Sequence, residues 1–433
     1  MEIVATLKTP EKLRELQRAL YLRVKKEPSF RAYALYDKVY RRDVLAHGYA
    51  LVKANGGAPG PDGETLEDIE TRGSEALLEG LHDELKTKRY RPGPVRRVYI
   101  PKLGGGERPL GIPNVRDRVV QMAAKLVLEP LFEADFDGDS FGFRPKRSAH
   151  QALDAIQDAL EQGMCWIIDA DVEAYFDTIP HDRLMKAVAE RVVDGSMLAL
   201  VKAFLEAPIV DERDGGRPKR NAKGTPQGGV VSPLLANIYL NLLDRNFRRR
   251  VEGGSLRGRL IRYADDLVVL TPGRPDRELA WIGNVMRRLG LALHPEKTRV
   301  VDARKEHFTF LGHTHFWRRG KLYLDIGKKA RQRIRDELRS KTRRTGLSVG
   351  QLVHALNLYI RGARQYFRRV LRKRLSQLDH DVTGLIARWA RRKHTLRRPA
   401  WSLMRGGKLN SEYALELWNL PPALRPADSR RAR

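Results

Sequence analysis

The sequence predicts an α+β protein in which a mixed body of helices and strands precedes a helical, strongly basic C-terminal third. Two observations support this prediction. Up to about residue 325, helix-like spacing of apolar residues alternates with short strand-like runs, and after residue 326 only helical patterns follow. The 433 residues carry a formal net charge of +29, and residues 328–344 alone hold nine basic and two acidic side chains.

Composition narrows the classes of protein to consider. A hydrophobic fraction of 42% is enough for sizeable cores, and no run of 18 apolar residues is present to cross a membrane. The single cysteine, Cys165, excludes intramolecular disulfides and zinc sites built on two or more thiolates. The first residues lack a signal-peptide pattern, so we expect a cytoplasmic protein. The positive charge favours a nucleic acid as partner.

The elements before residue 165 are predicted from apolar spacing and from turn residues. Alternation on both sides of the glycine turn 104–106 indicates a hairpin. In chain order we expect a helical segment over 1–45, a loop over 55–63, a helix over 66–85, strands over 95–101 and 110–112, and helices over 115–131 and 149–160.

The later elements follow from the same rules. We expect a strand over 166–172, helices over 182–193 and 198–205, a polar loop over 211–229, a helix over 232–249, a hairpin over 260–270, a helix over 279–289 and strands over 308–311 and 321–325. The basic third is expected to hold helices over 328–344, 352–366, 368–378 and 382–393, followed by a disordered tail over 423–433.

Two of the predicted strands carry aspartates where apolar residues are expected. The first contains Asp169 and Asp171, and the later hairpin carries Asp265 and Asp266. Because burying an unpaired carboxylate is costly, such residues need a cation or a donor beside them. The residues alone leave two interpretations: an ordinary hairpin turn, or carboxylates on adjacent strands that hold Mg²⁺ for phosphoryl transfer.

Three segments, in this order, identify a family resemblance. They are Asp171-Val-Glu-Ala-Tyr-Phe-Asp177, Gly224-Thr-Pro-Gln-Gly-Gly229 and Tyr263-Ala-Asp-Asp266. They resemble polymerase motifs A, B and C of reverse transcriptases, and they are closest to those of group II introns. Further blocks resemble the family in the correct order, over 100–113, 114–121, 140–150, 289–298 and 308–312. Residues 352–367 and 378–394 resemble the intron-maturase signature called domain X.

The resemblance implies roles for the acidic residues. Asp171 and Asp265 are expected to be metal ligands with the backbone carbonyl of Val172, and Asp266 completes the catalytic pair of motif C. The implied cofactor is a pair of Mg²⁺ ions, for which Mn²⁺ could substitute. Loss of any of these carboxylates would leave metal charge uncompensated.

The resemblance also implies residues that contact nucleotide and nucleic acid. Lys102 and Arg108 would hold the triphosphate, Phe176 would exclude a 2′-hydroxyl, Gln227 would touch nucleotide or template, and Lys297 would protonate or neutralise pyrophosphate. Each has an ordinary alternative, such as a solvated hairpin, a core aromatic or a surface lysine. The residues expected to contact nucleic acid are Arg144, Lys328, Lys329, Arg331 and Arg335.

The fold implied by the resemblance is a right-hand polymerase, with fingers and an antiparallel palm sheet, followed by an all-helical thumb or maturase domain. The expected domains are an N-terminal helical extension (1–45), fingers (46–165), palm (166–320), thumb and domain X (321–400), and a short extension with a basic tail (401–433). With Cys165 as the only cysteine, a cysteine-containing HNH endonuclease of the kind many family members carry is not expected.

The function implied is an RNA-directed DNA polymerase in the bacterial cytoplasm or nucleoid, acting on an RNA template, a DNA primer and dNTPs, and binding a structured group II intron RNA as a maturase. Two alternatives stay open. One is a domesticated relative in CRISPR adaptation, phage defence or DNA repair, supported by Leu358 and Ala363, where the family often has Pro and Trp. The other is a non-catalytic RNA-binding splicing factor.

Overall fold

The computed structural model describes residues 7–101, 106–394 and 415–416. Lys102, most of the glycine turn 104–106 and nearly all of the predicted extension 401–433 lie outside these residues. The chain divides into two compact units, Met1–Val300 and Val301–Arg433, and the finer domain boundaries stay predictions. Among the described residues, no helix is both long and apolar enough to span a membrane.

Helices make up about half of the first unit. In chain order they are α1 (Glu11–Lys26), α2 (Tyr36–Val39), α3 (Arg42–Asn55), α4 (Leu66–Arg72), α5 (Ser74–Lys86), α6 (Val115–Glu133), α7 (Ala149–Glu161), α8 (Tyr175–Thr178), α9 (His181–Ala189), α10 (Gly195–Glu206), α11 (Ser232–Glu252) and α12 (Asp276–Arg288). The core is centred on α6, which is buried along most of its length. Helix α3 packs so closely on it that a Cβ at Gly48 would lie 3.3 Å from the carbonyl oxygen of Val119.

The strands before residue 303 form two sheets. They are β1 (Val95–Pro101), β2 (Glu107–Pro113), β3 (Trp166–Ala170), β4 (Ile209–Asp211), β5 (Arg259–Tyr263), β6 (Asp266–Thr271) and β7 (Arg299–Asp302). One sheet has the order β2-β1-β4 and the other the order β5-β6-β3-β7. In β3 the consecutive residues Ile167 and Ile168 are both fully buried. Because neighbouring side chains point to opposite faces of a sheet, both faces of β3 are covered, which leaves the end of the strand as the place for polar chemistry.

The second unit combines a small sheet with three long helices. The elements are β8 (Phe308–Phe310), β9 (His313–Arg318), β10 (Lys321–Ile326), α13 (Lys328–Arg343), α14 (Val349–Tyr366) and α15 (Arg372–Lys393), and the sheet order is β10-β9-β8. A separate core includes Leu338, Leu352, Ile360 and Trp389. Helix α14 begins at a capping box formed by Ser348 and Gln351, which satisfies two backbone donors.

Several predicted helices were wrong in their extent. The N-terminal segment is interrupted after Lys26, and Ala32 there bridges to Val192. The helix predicted over 66–85 is divided by Gly73, whose φ of 85° ends one helix. The helix predicted over 182–193 ends at Ala189. The two helices predicted after residue 368 are one continuous helix, α15.

Three strands were missed by the sequence patterns. β4 lies at the start of the predicted loop 211–229, and neither β7 nor β9 was expected as a strand. β9 reads His-Thr-His-Phe-Trp-Arg, which lacks clear apolar alternation, yet it pairs with β8 on one side and β10 on the other. Pairing with neighbours therefore outweighs intrinsic propensity here.

Candidate active site

The first and third motifs meet at one end of the four-stranded sheet. β3 and β6 pair antiparallel with Ala170 opposite Leu267, so the adjoining residues Asp171 and Asp266 come next to each other. Asp265 lies in the two-residue turn between β5 and β6. The sheet thus brings together three carboxylates that are up to 95 positions apart in the chain.

Three carboxylates at this end of the sheet, Asp169, Asp265 and Asp266, have raised pKa values. Burial is the main cause of the raised pKa of Asp265, and Asp171 adds to it while Arg108 opposes it. The pKa of Asp266 rises to about 7, first through partial desolvation and then through Asp265, Asp171 and Asp169, although its side chain keeps exposed surface. Burial and Asp171 also raise the pKa of Asp169. A bound cation would relieve this mutual repulsion.

Two ion pairs tie the segment after α12 to these acids. Lys297 Nζ lies 3.5 Å from Asp171 Oδ2, and Arg299 Nε lies 3.0 Å from Asp169 Oδ2. Lys297 was predicted to protonate or neutralise pyrophosphate, and the structure places its ammonium group beside Asp171. Its side chain is 58% exposed, so it has room to change partner.

The backbone around Val172 is fixed from one side. His294 N donates to the Asp171 carbonyl at 2.8 Å, and Glu173 N donates to the Ala292 carbonyl at 2.9 Å. Because peptide groups alternate in direction along an extended chain, the carbonyl of Val172 faces away from this contact. That orientation leaves it available as an oxygen ligand beside Asp171.

The donor set suits a hard divalent cation. Mg²⁺ prefers oxygen ligands and commonly takes one or two carboxylates together with substrate phosphates. The described residues contain no group of three or more His, Cys, Asp and Glu side chains that could hold a metal ion. Asp171, Asp265 and the Val172 carbonyl offer oxygen donors of the kind that such a cation takes, and its other ligands would come from substrate.

Phe176 lies at a cleft of about 380 Å³ whose lining includes Arg97, Pro109, Thr225 and Pro226. Its side chain is 8% exposed, and its ring packs edge-on against Tyr175 with centroids 5.5 Å apart. Its carbonyl accepts a hydrogen bond from Thr225 N at 2.7 Å. Phe176 is thus anchored through its backbone, and its ring is mostly buried where the residue lines the cleft.

Glycines let the Gly224–Gly229 loop approach its neighbours. A Cβ at Gly224 would lie 2.7 Å from the carbonyl oxygen of Phe176, and one at Gly228 would lie 2.4 Å from that of Gly111. Gly111 N donates to the carbonyl of Gln227 at 2.6 Å. Gln227 therefore sits against β2, the strand that also carries Arg108.

Arg108 and Lys102 were predicted as a pair. Arg108 is exposed on β2, opposite Ile100, and its charge lowers the pKa of Asp265 and of Asp266. Arg108 therefore partly offsets the increase in both pKa values. Lys102 lies outside the described residues.

The residues predicted to contact nucleic acid lie in three different environments. Arg144 is buried, with its side chain 3% exposed, and pairs with Glu133 at 2.8 Å. This placement corrects the expectation for Arg144, because a buried guanidinium that braces a turn offers little surface to a phosphate. Lys328 and Lys329 are exposed at the start of α13.

The two arginines predicted on the same helix already have acidic partners. Arg331 lies 3.6 Å from Asp325, and Arg335 lies 2.7 Å from Asp381. Both are partly exposed, so their charge is shared between the second unit's own acids and any ligand.

Sequence reasoning missed the residues that support the Asp265 turn. Arg262 is fully buried in β5 and donates to the carbonyl of Ala264. A Cβ at Gly142 would lie 2.3 Å from the nitrogen of Ala264. The position of Arg262 directly before the Tyr-Ala-Asp-Asp motif was the only local signal, and its partners are distant in sequence.

Comparison with protein families gives two matches. A family model for "Reverse transcriptase (RNA-dependent DNA polymerase)" matches residues 100–315. A model for "Group II intron, maturase-specific domain" matches residues 331–407. The first match covers the sheet that carries the three aspartates, and the second begins within α13.

Three curated proteins illustrate the similarity. Protein YkfC of Escherichia coli (strain K12) is 35% identical over 336 residues, which are 69% of this chain and 87% of that protein. Group II intron-encoded protein LtrA of Lactococcus lactis subsp. cremoris is 37% identical over 212 residues, 49% of this chain and 34% of that protein. An uncharacterized 91 kDa protein in a cob intron of Schizosaccharomyces pombe is 29% identical over 414 residues, 76% of this chain and 50% of that protein.

Among solved structures, a partial Cas6-RT-Cas1–Cas2 complex aligns at 22% identity with a TM-score of 0.36, covering 59% of this chain and 43% of that one. This likeness is too low to support an inference. The sequence similarities, one of them across most of a relative's length, are sufficient: the chain belongs to the group II intron family of reverse transcriptases and maturases.

Proposed function

We propose that this RNA-directed DNA polymerase extends a DNA primer with dNTPs on an RNA template, and that Asp171, Asp265 and the Val172 carbonyl hold two Mg²⁺ ions. The observation that carries the proposal is the group of mutually repelling carboxylates at the β3–β6 end of the sheet. Divalent ions bound there would neutralise the triphosphate and activate the primer 3′-hydroxyl. The single cysteine is in keeping with a reducing compartment, so we place the reaction in the cytoplasm.

The chain's own side chains would orient the nucleotide. Arg108, with Lys102 as its expected partner, would bind the triphosphate by charge-assisted hydrogen bonds. Phe176 lines the cleft, where its ring would meet a 2′-hydroxyl, so dNTPs would be favoured over rNTPs. Lys297 would leave Asp171 and neutralise the departing pyrophosphate.

The second unit is proposed to bind nucleic acid through its basic surface. Lys328 and Lys329 would contact backbone phosphates without reading sequence. The maturase-specific match over 331–407 supports a group II intron RNA as one ligand. Leu358 departs from the family pattern and is 59% exposed on α14. The proposed function includes assistance in the splicing of intron RNA.

Primer extension by the Asp265→Ala protein tests the proposal. Extension with dNTPs and Mg²⁺ should be lost, while affinity for a primer–template duplex stays near that of the wild type. The wild type should use dNTPs in preference to rNTPs. Full extension by Asp265→Ala, or equal use of rNTPs, would contradict it.

A splicing assay with the same variant separates polymerisation from maturation. If Asp265→Ala still promotes splicing of its intron RNA, the two functions are independent and both present. If the wild type itself promotes no splicing, the maturase part of the proposal fails while the polymerase part stands. The family matches do not favour a domesticated role over this one.

A further inference from the structure

A buried ion pair lies directly behind the turn that carries Asp265. Arg262, in β5, and Asp244, in α11, each expose 1% of their side chains. Arg262 Nε donates to Asp244 Oδ1 at 3.0 Å, and Nη2 donates to Oδ2 at 2.6 Å. The geometry is bidentate, which compensates both charges inside the protein.

The remaining nitrogen of Arg262 faces the turn. Nη1 donates to the carbonyl oxygen of Ala264 at 2.8 Å and to Asn237 Oδ1 at 2.8 Å. Ala264 has a φ of 60°, a left-handed conformation that a residue with a Cβ adopts at an energetic cost. The hydrogen bond to its carbonyl therefore helps to hold a peptide plane that would otherwise relax. Asp265 follows directly, so the direction of its carboxylate depends on that plane.

A second contact closes the turn from the opposite side. Asn237 Nδ2 donates to the carbonyl of Gly142 at 2.8 Å, and Gly142 lies so near Ala264 that an added Cβ would be 2.3 Å from its nitrogen. Arg262 also joins this segment through its backbone, since Phe141 N donates to its carbonyl at 2.9 Å. Arg262 thus links three parts of the protein, α11 and the Asp265 turn through its side chain and the Gly142 segment through its backbone.

We infer that Arg262 is a positioning residue for nucleotidyl transfer: with Asp244 and Asn237 it holds the Ala264 peptide so that Asp265 points at the metal site. This inference rests on the proposed polymerase function. Lysine cannot replace Arg262, because a single ammonium lacks the planar fork that reaches a carboxylate, an amide and a carbonyl together.

The first test is Arg262→Lys, measured by steady-state primer extension. We expect kcat to fall about 100-fold, the effect of a misplacement of about 1 Å at a reacting centre. The Mg²⁺ concentration for half-maximal rate should rise, while the Kd for primer–template stays unchanged. Mere destabilisation would not shift the Mg²⁺ requirement of the molecules that remain folded.

A second variant distinguishes loss of positioning from misfolding. In Arg262→Met/Asp244→Leu the buried pair is replaced by apolar side chains, an exchange that often preserves stability. It should fold, yet show the same loss of kcat and the same raised Mg²⁺ requirement. The matched control is Arg191→Met/Asp135→Leu. Arg191 and Asp135 form an ion pair that is 12% and 17% exposed, and Arg191 also donates to the carbonyl of Phe30.

The outcomes separate this inference from the polymerase proposal. Wild-type kcat and Mg²⁺ dependence in folded Arg262→Lys and in the double variant would overturn it, as would an equal loss in the Arg191 control. Failure of the wild type to extend any primer would instead count against the proposed function.

Discussion

Asp266 in the first unit and Asp325 in the second have opposite electrostatic environments. Asp325 is held by Arg374 at 2.8 Å and by Arg331 at 3.6 Å. Partial desolvation, and then the carboxylates of Asp265, Asp171 and Asp169, raise the pKa of Asp266 to about 7. The contrast indicates that Asp266 belongs to a group of carboxylates that suits an external cation, whereas arginines of the second unit neutralise Asp325.

The largest effect on activity should come from replacing a carboxylate at the β3–β6 end of the sheet, compared with replacing the neutralised Asp325. Asp171→Asn should lower the rate of primer extension at least about 10³-fold, because transition-state charge loses its support. Asp325→Asn should keep the extension rate within a few-fold of the wild type. It should instead lower the melting temperature, because Arg331 and Arg374 lose their partly buried partner. Steady-state extension and thermal unfolding measure the two outcomes, and equal loss of activity in both variants would contradict the comparison.

An intermediate effect should separate free from partnered cations on α13. Lys328→Ala/Lys329→Ala should weaken duplex binding and reduce the slope of log K against log salt by about 2, close to 0.9 for each lost phosphate contact. Arg335→Gln should change the slope less, because Asp381 already holds Arg335 at 2.7 Å. Fluorescence anisotropy at several salt concentrations provides the slopes. A larger change in slope for Arg335→Gln would show that its ion pair opens on binding.

The smallest effect concerns pH and the second unit. Burial, and then His313, lower the pKa of His315 to about 4, whereas an unfolded histidine titrates near 6.5. As pH falls from 6.5 toward 4, His315 binds a proton in the unfolded state but not in the folded state. The free energy of unfolding therefore decreases. His315→Phe should reduce this loss between pH 7 and pH 5 by on the order of 1 kcal/mol.

Chemical denaturation at the two pH values measures that difference. The exposed His354 provides the matched control, since His354→Gln should leave the pH dependence of stability unchanged. An identical loss of stability in wild type and His315→Phe would show that other groups account for the pH dependence.

The catalytic acids could be predicted because their signal is local. Asp265 and Asp266 stand in a four-residue motif, and its order with the other motifs indicates which strands must meet. Arg262 could not be assigned in the same way. Its role depends on Asp244 and Asn237, which lie 18 and 25 positions away, and on a Gly142 contact made across more than 100 positions. Such contacts exist only after folding.

The errors in secondary structure have a similar origin. The polar run Asp379-His380-Asp381 was interpreted as a break between two helices, but Leu378 and Val382 are both buried and continue one face of α15 across it. β7 was missed because its apolar part is only two residues long, and β9 because its residues show no clear apolar alternation. Both strands are identified by pairing with their neighbours in the sheet.

The contact between Gly142 and Ala264 has a consequence for engineering this chain. Because no methyl group fits between them, a segment from a homologue can replace either one only if it keeps this close contact. A transplant of the hairpin 259–271 into a related scaffold should succeed only when residues 139–144 and the inward face of α11 travel with it. The smallest exchangeable part of this polymerase therefore consists of three segments that pack against one another in the fold but are separate in the sequence.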